Sequence, residues 1–317
     1  MRRLALLAFA FCPIAFADDP PPVEMGALVR GFALPALGRP DTQPGGSLKL
    51  RVYLNDTNEY VARSNDLETI LIDGEVTQLS YDLHYGITDR WEAGLFVPVL
   101  SQGGGILDSI IQNWHNLWGL PNGGREDAPK NAYHYQYIRN GQQLLNVDQG
   151  SVTFGDIRLS TGYELADHLA ARAMLQLPTG DASHLSGNGA FGGAVWLDGG
   201  LPLRGFLHWL TLYGSAGYSY TASGDILTDM QKKSLPFGAA GLGVRFTPNW
   251  DAKLQVYIHA APYKGSELGA LDHIAAPLTL STSYRISKIT AVSLGFQEKA
   301  SVFASPDFGV FLGVSLN

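Results

Sequence analysis

Residues 77–99 read TQLSYDLHYGITDRWEAGLFVPV, and this stretch decides the fold class. Thr77, Leu79, Tyr81, Leu83 and Tyr85 alternate with Gln78, Ser80, Asp82 and His84, the period of two that gives a strand one apolar and one polar face. Gly86 to Arg90 carry turn chemistry. Trp91, Ala93, Leu95, Val97 and Val99 then resume against Glu92, Gly94 and Phe96, so the stretch predicts an antiparallel hairpin.

The same alternation recurs on both sides. Leu48, Leu50, Val52 and Leu54 oppose Lys49, Arg51, Tyr53 and Asn55. Val152 to Glu164 reads as a strand with a bulge near Gly155 and Asp156. Leu169, Ala171, Ala173, Leu175 and Leu177 follow, then three Gly- and aromatic-rich strands at 189–199, 208–221 and 234–247. Ala252 to Ile258, Leu278 to Ile286, Thr290 to Phe296 and Phe308 to Leu316 complete a tally of twelve.

The connections alternate as well. Long links fall at 56–69, 101–150, 179–188, 222–233, 261–276 and 297–306, and short ones at 86–90, 165–168, 247–250 and 287–288, with 200–207 intermediate. Short periplasmic turns and long outside loops mark an outer-membrane barrel, because only a closed sheet satisfies every backbone group in lipid. The expected fold is therefore all-β: a transmembrane antiparallel up-and-down β-barrel of about 12 strands, with a long extracellular loop containing a short helix. Tyr81, Tyr85, Trp91 and Trp250 cluster at proposed periplasmic turns as an interfacial girdle would. The competing reading is a secreted sandwich or lipocalin-like barrel with its apolar faces inward.

Composition agrees. The chain has 317 residues, 45% of them apolar and only 16% charged, with 37 Gly, 14 Tyr and 14 Phe, which favours short strands and excludes disorder. Lys and Arg number 22 against 29 Asp and Glu, a net charge of -7, so the basic footprint of a nucleic-acid binder is missing. Arg2, Arg3, the apolar run Leu4 to Phe16 and Ala15-Phe16-Ala17 before Asp18 predict a signal peptide over 1–17, too short to anchor the chain. The single cysteine, Cys12, lies inside it, which leaves the exported chain without disulfides, thiolate metal ligands or a cysteine nucleophile. The expected division is an N-terminal periplasmic segment at 18–46 and the barrel at 47–317, with 101–150 its long extracellular loop. The C-terminal Val314-Ser315-Leu316-Asn317 lacks the terminal aromatic by which assembly machinery reads many such barrels.

Three motifs carry a resemblance: YGITDRWE at 85–92, WHNLWGLPNGGR at 114–125 and LPTGD at 177–181. On these the chain resembles an uncharacterised proteobacterial outer-membrane family, domain of unknown function 3187, over most of its exported length. The first and third are also distantly similar to phenol-degradation transporter barrels. The resemblance implies a barrel in the bacterial outer membrane and brings no activity with it.

Candidate functional residues follow from the strand phase. Lys49, Arg51, Asp82, His84, Glu92, Arg158, Glu164, Arg172, Lys253 and Arg285 would face a lumen. Either they pair and plug it, or they line a polar conduit whose charges select solutes. In the long loop, Ile106, Leu107, Ile110, Ile111, Trp114, Leu117 and Trp118 recur at helical spacing, predicting an amphipathic helix that ends before Gly119 and Pro121. Trp114, His115, Trp118 and Arg125 are then candidate loop or constriction residues; the helix could equally lie at the membrane surface or pack on the rim. Tyr133, Tyr135 and Tyr137 suggest an extra strand above the bilayer.

Enzyme chemistry is weakly signalled. His184 and Ser186 stand i and i+2 in a Gly-rich loop without an evident orienting partner, and the eight histidines show no ligand-spaced pair, so neither a metal nor a cofactor is expected. Expected partners are outer-membrane lipid and lipopolysaccharide, the barrel-assembly machinery and a small solute. The leading reading is a passive channel for small solutes; the alternatives are a structural or adhesion barrel acting through its loops and, less favoured, a lipid-active hydrolase.

Overall fold

The computed structural model describes residues 23–119, 124–299 and 305–317, and leaves the expected signal peptide outside the described residues. Fifteen strands among them form one sheet. The strands are β1 (Leu48–Ser64), β2 (Glu68–Thr88), β3 (Trp91–Gly103), β4 (His134–Arg139), β5 (Gln142–Val147), β6 (Ser151–Phe154), β7 (Arg158–Ala166) and β8 (Leu169–Gln176). They continue with β9 (Gly192–Pro202), β10 (Leu210–Thr221), β11 (Ser234–Thr247), β12 (Trp250–His259), β13 (Pro277–Arg285), β14 (Thr290–Lys299) and β15 (Phe308–Leu316). Each wall strand pairs antiparallel with its sequence neighbours, and β1 pairs with both β2 and β15, which closes the barrel. β4 and β5 form a separate hairpin on the upper part of β2, and β6 and β7 are two halves of one wall position on β3. The wall thus has twelve positions, as the alternation predicts.

Two environments explain the pleat. Leu54, Tyr81, Leu95, Leu175, Leu197, Ile258, Leu280, Leu294 and Leu312 are exposed on the outer face, whereas Arg51, Asp82, Glu92, Arg172, Gln255 and Thr279 are buried on the inner one. A soluble barrel would have the reverse arrangement, so the outer face is built for lipid. The Trp91 indole N–H donates to Thr161 Oγ1 at 2.8 Å and that of Trp250 to Thr282 Oγ1 at 2.8 Å, which fixes two rings of the girdle.

Two expectations are corrected. Residues 56–69 are not a long loop: β1 and β2 stay paired up to Ser64 and Thr69, and only a tight turn joins them. Their outward residues Asn58, Tyr60, Asp73 and Glu75 are polar because a protein layer, not lipid, covers them. That layer includes α1 (Leu107–Trp118), whose first backbone N–H groups donate to Glu75, at 2.9 Å from Ile106 and 2.7 Å from Leu107. The helix therefore lies outside the wall and does not constrict the mouth.

The second correction concerns the N-terminal segment. It does not hang below the barrel: residues 24–40 are buried almost throughout, and their backbone bonds to inward-facing side chains of β1, β8, β9, β10, β12 and β14. An eight-stranded barrel is filled by its own side chains, whereas twelve strands leave room for an additional chain. Gly26, Gly31 and Pro35 interrupt the apolar run, so the segment forms no helix and lies as an irregular thread with carbonyls open to the wall.

Candidate functional site in the barrel lumen

Read back from Ser47, the thread climbs. Gly46 N–H donates to Gly86 O at 2.8 Å and Gln43 N–H to Glu92 Oε2 at 2.8 Å, beside the β2–β3 turn. Arg172 donates to the carbonyls of Arg39 and Asp41, and Gly38 N–H to Asp198 Oδ1 at 3.1 Å. Higher up, Tyr257 donates to Pro35 O, Gln176 to Gly31 O and Tyr263 to Leu28 O, while Ala27 N–H donates to Glu59 at 2.8 Å. At the top Glu24 N–H meets Gln297 Oε1 at 3.1 Å. Wall carbonyls are consumed by the sheet ladder, so the lumenal side chains serve the thread's backbone instead.

Charge concentrates at the lower end. Glu92, 1% exposed, lies 3.2 Å from Arg39 of the thread, 2.5 Å from Arg172 and 3.4 Å from His84. Asp82 is paired with Arg51 and lies 2.8 Å from His84, and Asp198 pairs with Arg172 at 3.0 Å. Buried charges persist only when matched in this way. Arg158 instead donates to the carbonyls of Leu34 and Arg30 and stacks over Phe96 at 5.5 Å. Lys49 and Lys253 are also buried on the inner face. Arg285 departs from the expected set, since it is exposed at the rim and its backbone N–H caps Asn249 O. Glu164 is half-buried and accepts from Thr42 at 3.3 Å.

A cavity of about 60 Å³ lies among Arg39, Arg51, Asp82, His84, Arg158 and Trp196, room for a few waters and no more. Above it, Phe32, Leu34 and Leu37 of the thread are buried, and Phe32 meets Tyr263 edge-on at 5.4 Å. Burial pushes the Tyr263 phenol above its ordinary range, so it stays a donor to Leu28 O.

The other candidates fall elsewhere. His115 is buried against the outer wall, Trp114 is exposed, and Trp118 ends α1. Arg125 is 3% exposed and clamps the loop to the wall through Asn58 at 2.6 Å, Asp108 at 2.5 Å and Asp307. Residues 120–123 of the tryptophan motif lie outside the described residues. The Leu-Pro-Thr-Gly-Asp motif patches the break between β6 and β7: Ile157 N–H donates to Thr179 Oγ1 at 2.8 Å, Thr179 to Gly155 O at 2.9 Å, and Gly180 N–H to Asp156 at 2.9 Å. His184 pairs with Asp181 at 2.9 Å, and bonds from Ser183 and His184 lower that carboxyl to about 2. Ser186, by contrast, is buried and exchanges bonds with the backbone of Asp181, so it is not the hydroxyl of a His-activated nucleophile. No group of three metal-ligating side chains occurs among the described residues.

The family model described as a protein of unknown function, DUF3187, matches residues 7–317. The chain belongs to the DUF3187 family. Among solved structures, this DUF3187 chain is similar to the COG4313 outer membrane channel from Pseudomonas putida F1, at 12% identity and a TM-score of 0.58, covering 88% of this chain and 98% of that one. It also matches the NanC porin, at 10% identity and a TM-score of 0.44, with 86% and 100% covered. A third match is the Ralstonia pickettii toluene transporter TbuX, at 10% identity and a TM-score of 0.42, with 93% and 95% covered. Comparison with curated proteins finds no match. At such identities the COG4313 likeness shows the fold, a membrane β-barrel, in accord with the outward apolar face.

Sequence reasoning had the charged inner face but missed what meets it. Residues 25–37, MGALVRGFALPAL, were detectable as an apolar run too rich in Gly and Pro for a helix yet too greasy to lie in the periplasm.

Proposed function

We propose that this DUF3187 barrel is a non-enzymatic outer-membrane channel for small solutes, and that its own N-terminal thread closes it at rest. The observation that carries the reading is a polar lumen with charges of both signs whose inward side chains bond to the backbone of the N-terminal thread as well as to one another. A wall meant only as a scaffold has no need of buried Arg51 and Arg172, because apolar packing of the same volume is as stable or more so. The likeness to the COG4313 outer membrane channel supports the same reading, as does the expected export signal at 1–17, which would deliver the chain to the barrel-assembly machinery. Lys49, Arg51, Asp82, His84, Glu92, Arg158, Arg172 and Lys253 would line the path once the thread has left, and both signs of charge would disfavour bulk apolar cargo.

The test is planar-bilayer recording of the refolded chain beginning at Asp18 and of a chain beginning at Ser47. The longer chain is expected to stay closed for most of the record and the shorter to conduct in steady steps. A shorter chain whose gel mobility shifts on boiling, and so is folded, yet never conducts would overturn the proposal.

A further inference from the structure

Helix α1 has three faces. At about 100° per residue, its buried positions Leu107, Asp108, Ile111 and His115 span one arc, turned to the barrel wall. Ser109, Gln112, Asn113 and Asn116 make a polar arc on the far side. Between them Ile110, Trp114 and Leu117 fall within about 60° of one another and are exposed by 53, 41 and 73%. A helix lying on a soluble surface needs only two faces, one packed and one wet. A third, apolar face calls for a third medium.

The position of the helix names that medium. Glu75 holds the start of α1, and Arg125 ties Asp108 to Asn58 of β1 and to Asp307, just before β15. Asn58 stands opposite Phe308, just above the outward residues Val310, Leu312 and Val314 of the lipid-facing band. Trp114 leans over this band and closes the upper end of an outer-wall groove of about 510 Å³, lined by Leu280, Leu294, Phe296, Phe308 and Val310 and ending below at Trp250. The groove is apolar along its length and continuous with the lipid-facing surface.

We propose that α1 is an interfacial helix lying in the outer leaflet, and that the groove beneath Trp114 seats one acyl chain of a membrane lipid. The occupant follows from continuity: the groove opens sideways onto the bilayer band, and the polar arc of α1 stays at headgroup level while its apolar arc points down the wall. An amphipathic helix in this position buries its apolar face to a depth of about 5–10 Å at the headgroup boundary.

The experiment places the chain from Asp18 onward in dioleoylphosphatidylcholine vesicles and in vesicles of the same lipid brominated at mid-chain. The difference in tryptophan emission between the unaltered chain and Trp114→Phe isolates this ring. More than half of that difference is expected to vanish in brominated lipid, with little loss to aqueous iodide. Since Cys12 is the only cysteine of the full sequence, single substitutions Ser109→Cys, Ile110→Cys, Asn113→Cys, Asn116→Cys and Leu117→Cys can each carry one spin label. Labels at 110 and 117 should collide with oxygen in the lipid, and those at 109, 113 and 116 with a water-soluble nickel chelate. Quenching by iodide alone, or one accessibility for all five labels, would overturn the proposal. So would shielding of Trp114 from both quenchers, which would mean that a second copy of the chain covers it. None of these results depends on whether the lumen conducts.

Discussion

Replacing Glu92 by Gln tests how the thread is held. The carboxylate is 1% exposed and accepts from Gln43 N–H at 2.8 Å while balancing Arg39 of the thread and Arg172 of the wall. Gln keeps the volume and loses the charge, so Arg39 stays buried in the docked state without its carboxylate, whereas in an undocked thread it would be hydrated. Removing one partner of a buried pair costs about 3–5 kcal/mol. Arg39 retains His84 at 2.8 Å, which places the change at the lower end. About 3 kcal/mol is roughly a hundredfold at 1.4 kcal/mol per factor of ten. The assay is the open probability of single channels in a planar bilayer, with boiling-dependent gel mobility as the control for folding. Glu92→Gln is expected to raise open probability by about two orders of magnitude. A folded variant that opens no more often than the parent would refute the assignment of Glu92 as the lower anchor.

Further outcomes follow from the same geometry. Tyr263→Phe removes the donor to Leu28 O at 2.7 Å, which weakens docking by about 1 kcal/mol and should raise open probability several-fold in the same recordings. Leu280→Arg puts a charge on the lipid face of β13 and should lower stability in vesicles by about 2–4 kcal/mol, read from the urea midpoint, whereas Leu67→Arg in the β1–β2 turn should be nearly neutral. Equal midpoints would contradict the membrane-spanning reading. Arg125→Gln leaves Asp108 and Asp307 facing each other, so the α1 loop should loosen and trypsin should cut at exposed Lys130 more rapidly, with unchanged digestion as the opposing result.

The wall was legible because lipid and lumen impose opposite demands on successive residues. Leu278 to Tyr284 and Ala252 to Ile258 show that alternation plainly, and Ile258, Leu280 and Tyr284 are exposed on their outer face. Where a third layer intervenes, the pattern fades. Asp56, Asn58, Tyr60, Asp73 and Glu75 face outward beneath or beside the α1 loop, their polarity erased the apolar face, and paired strands looked like a loop. The lumenal charges were legible in phase but not in partnership, since Arg39, Gln43 and Gly38 belong to a stretch with no period to assign them to any face. The Arg125 clamp was invisible for a related reason: Asp108, Asn58 and Asp307 are far apart in sequence, and only the closed wall brings them together.

The central claim is that the thread occupies the lumen and closes it, and a reversible tether tests this directly. A side chain built on Gly192 of β9 would reach within 2.7 Å of the Ala33 Cβ, and disulfide partners need their Cβ atoms about 3.5–4.5 Å apart, which a small shift of the thread provides. Ala33→Cys with Gly192→Cys, in the chain from Asp18 onward, is therefore expected to oxidise spontaneously, silence the channel and release it on addition of reductant. Free thiols in a folded barrel, or openings as frequent with the bond formed as without it, would contradict the account.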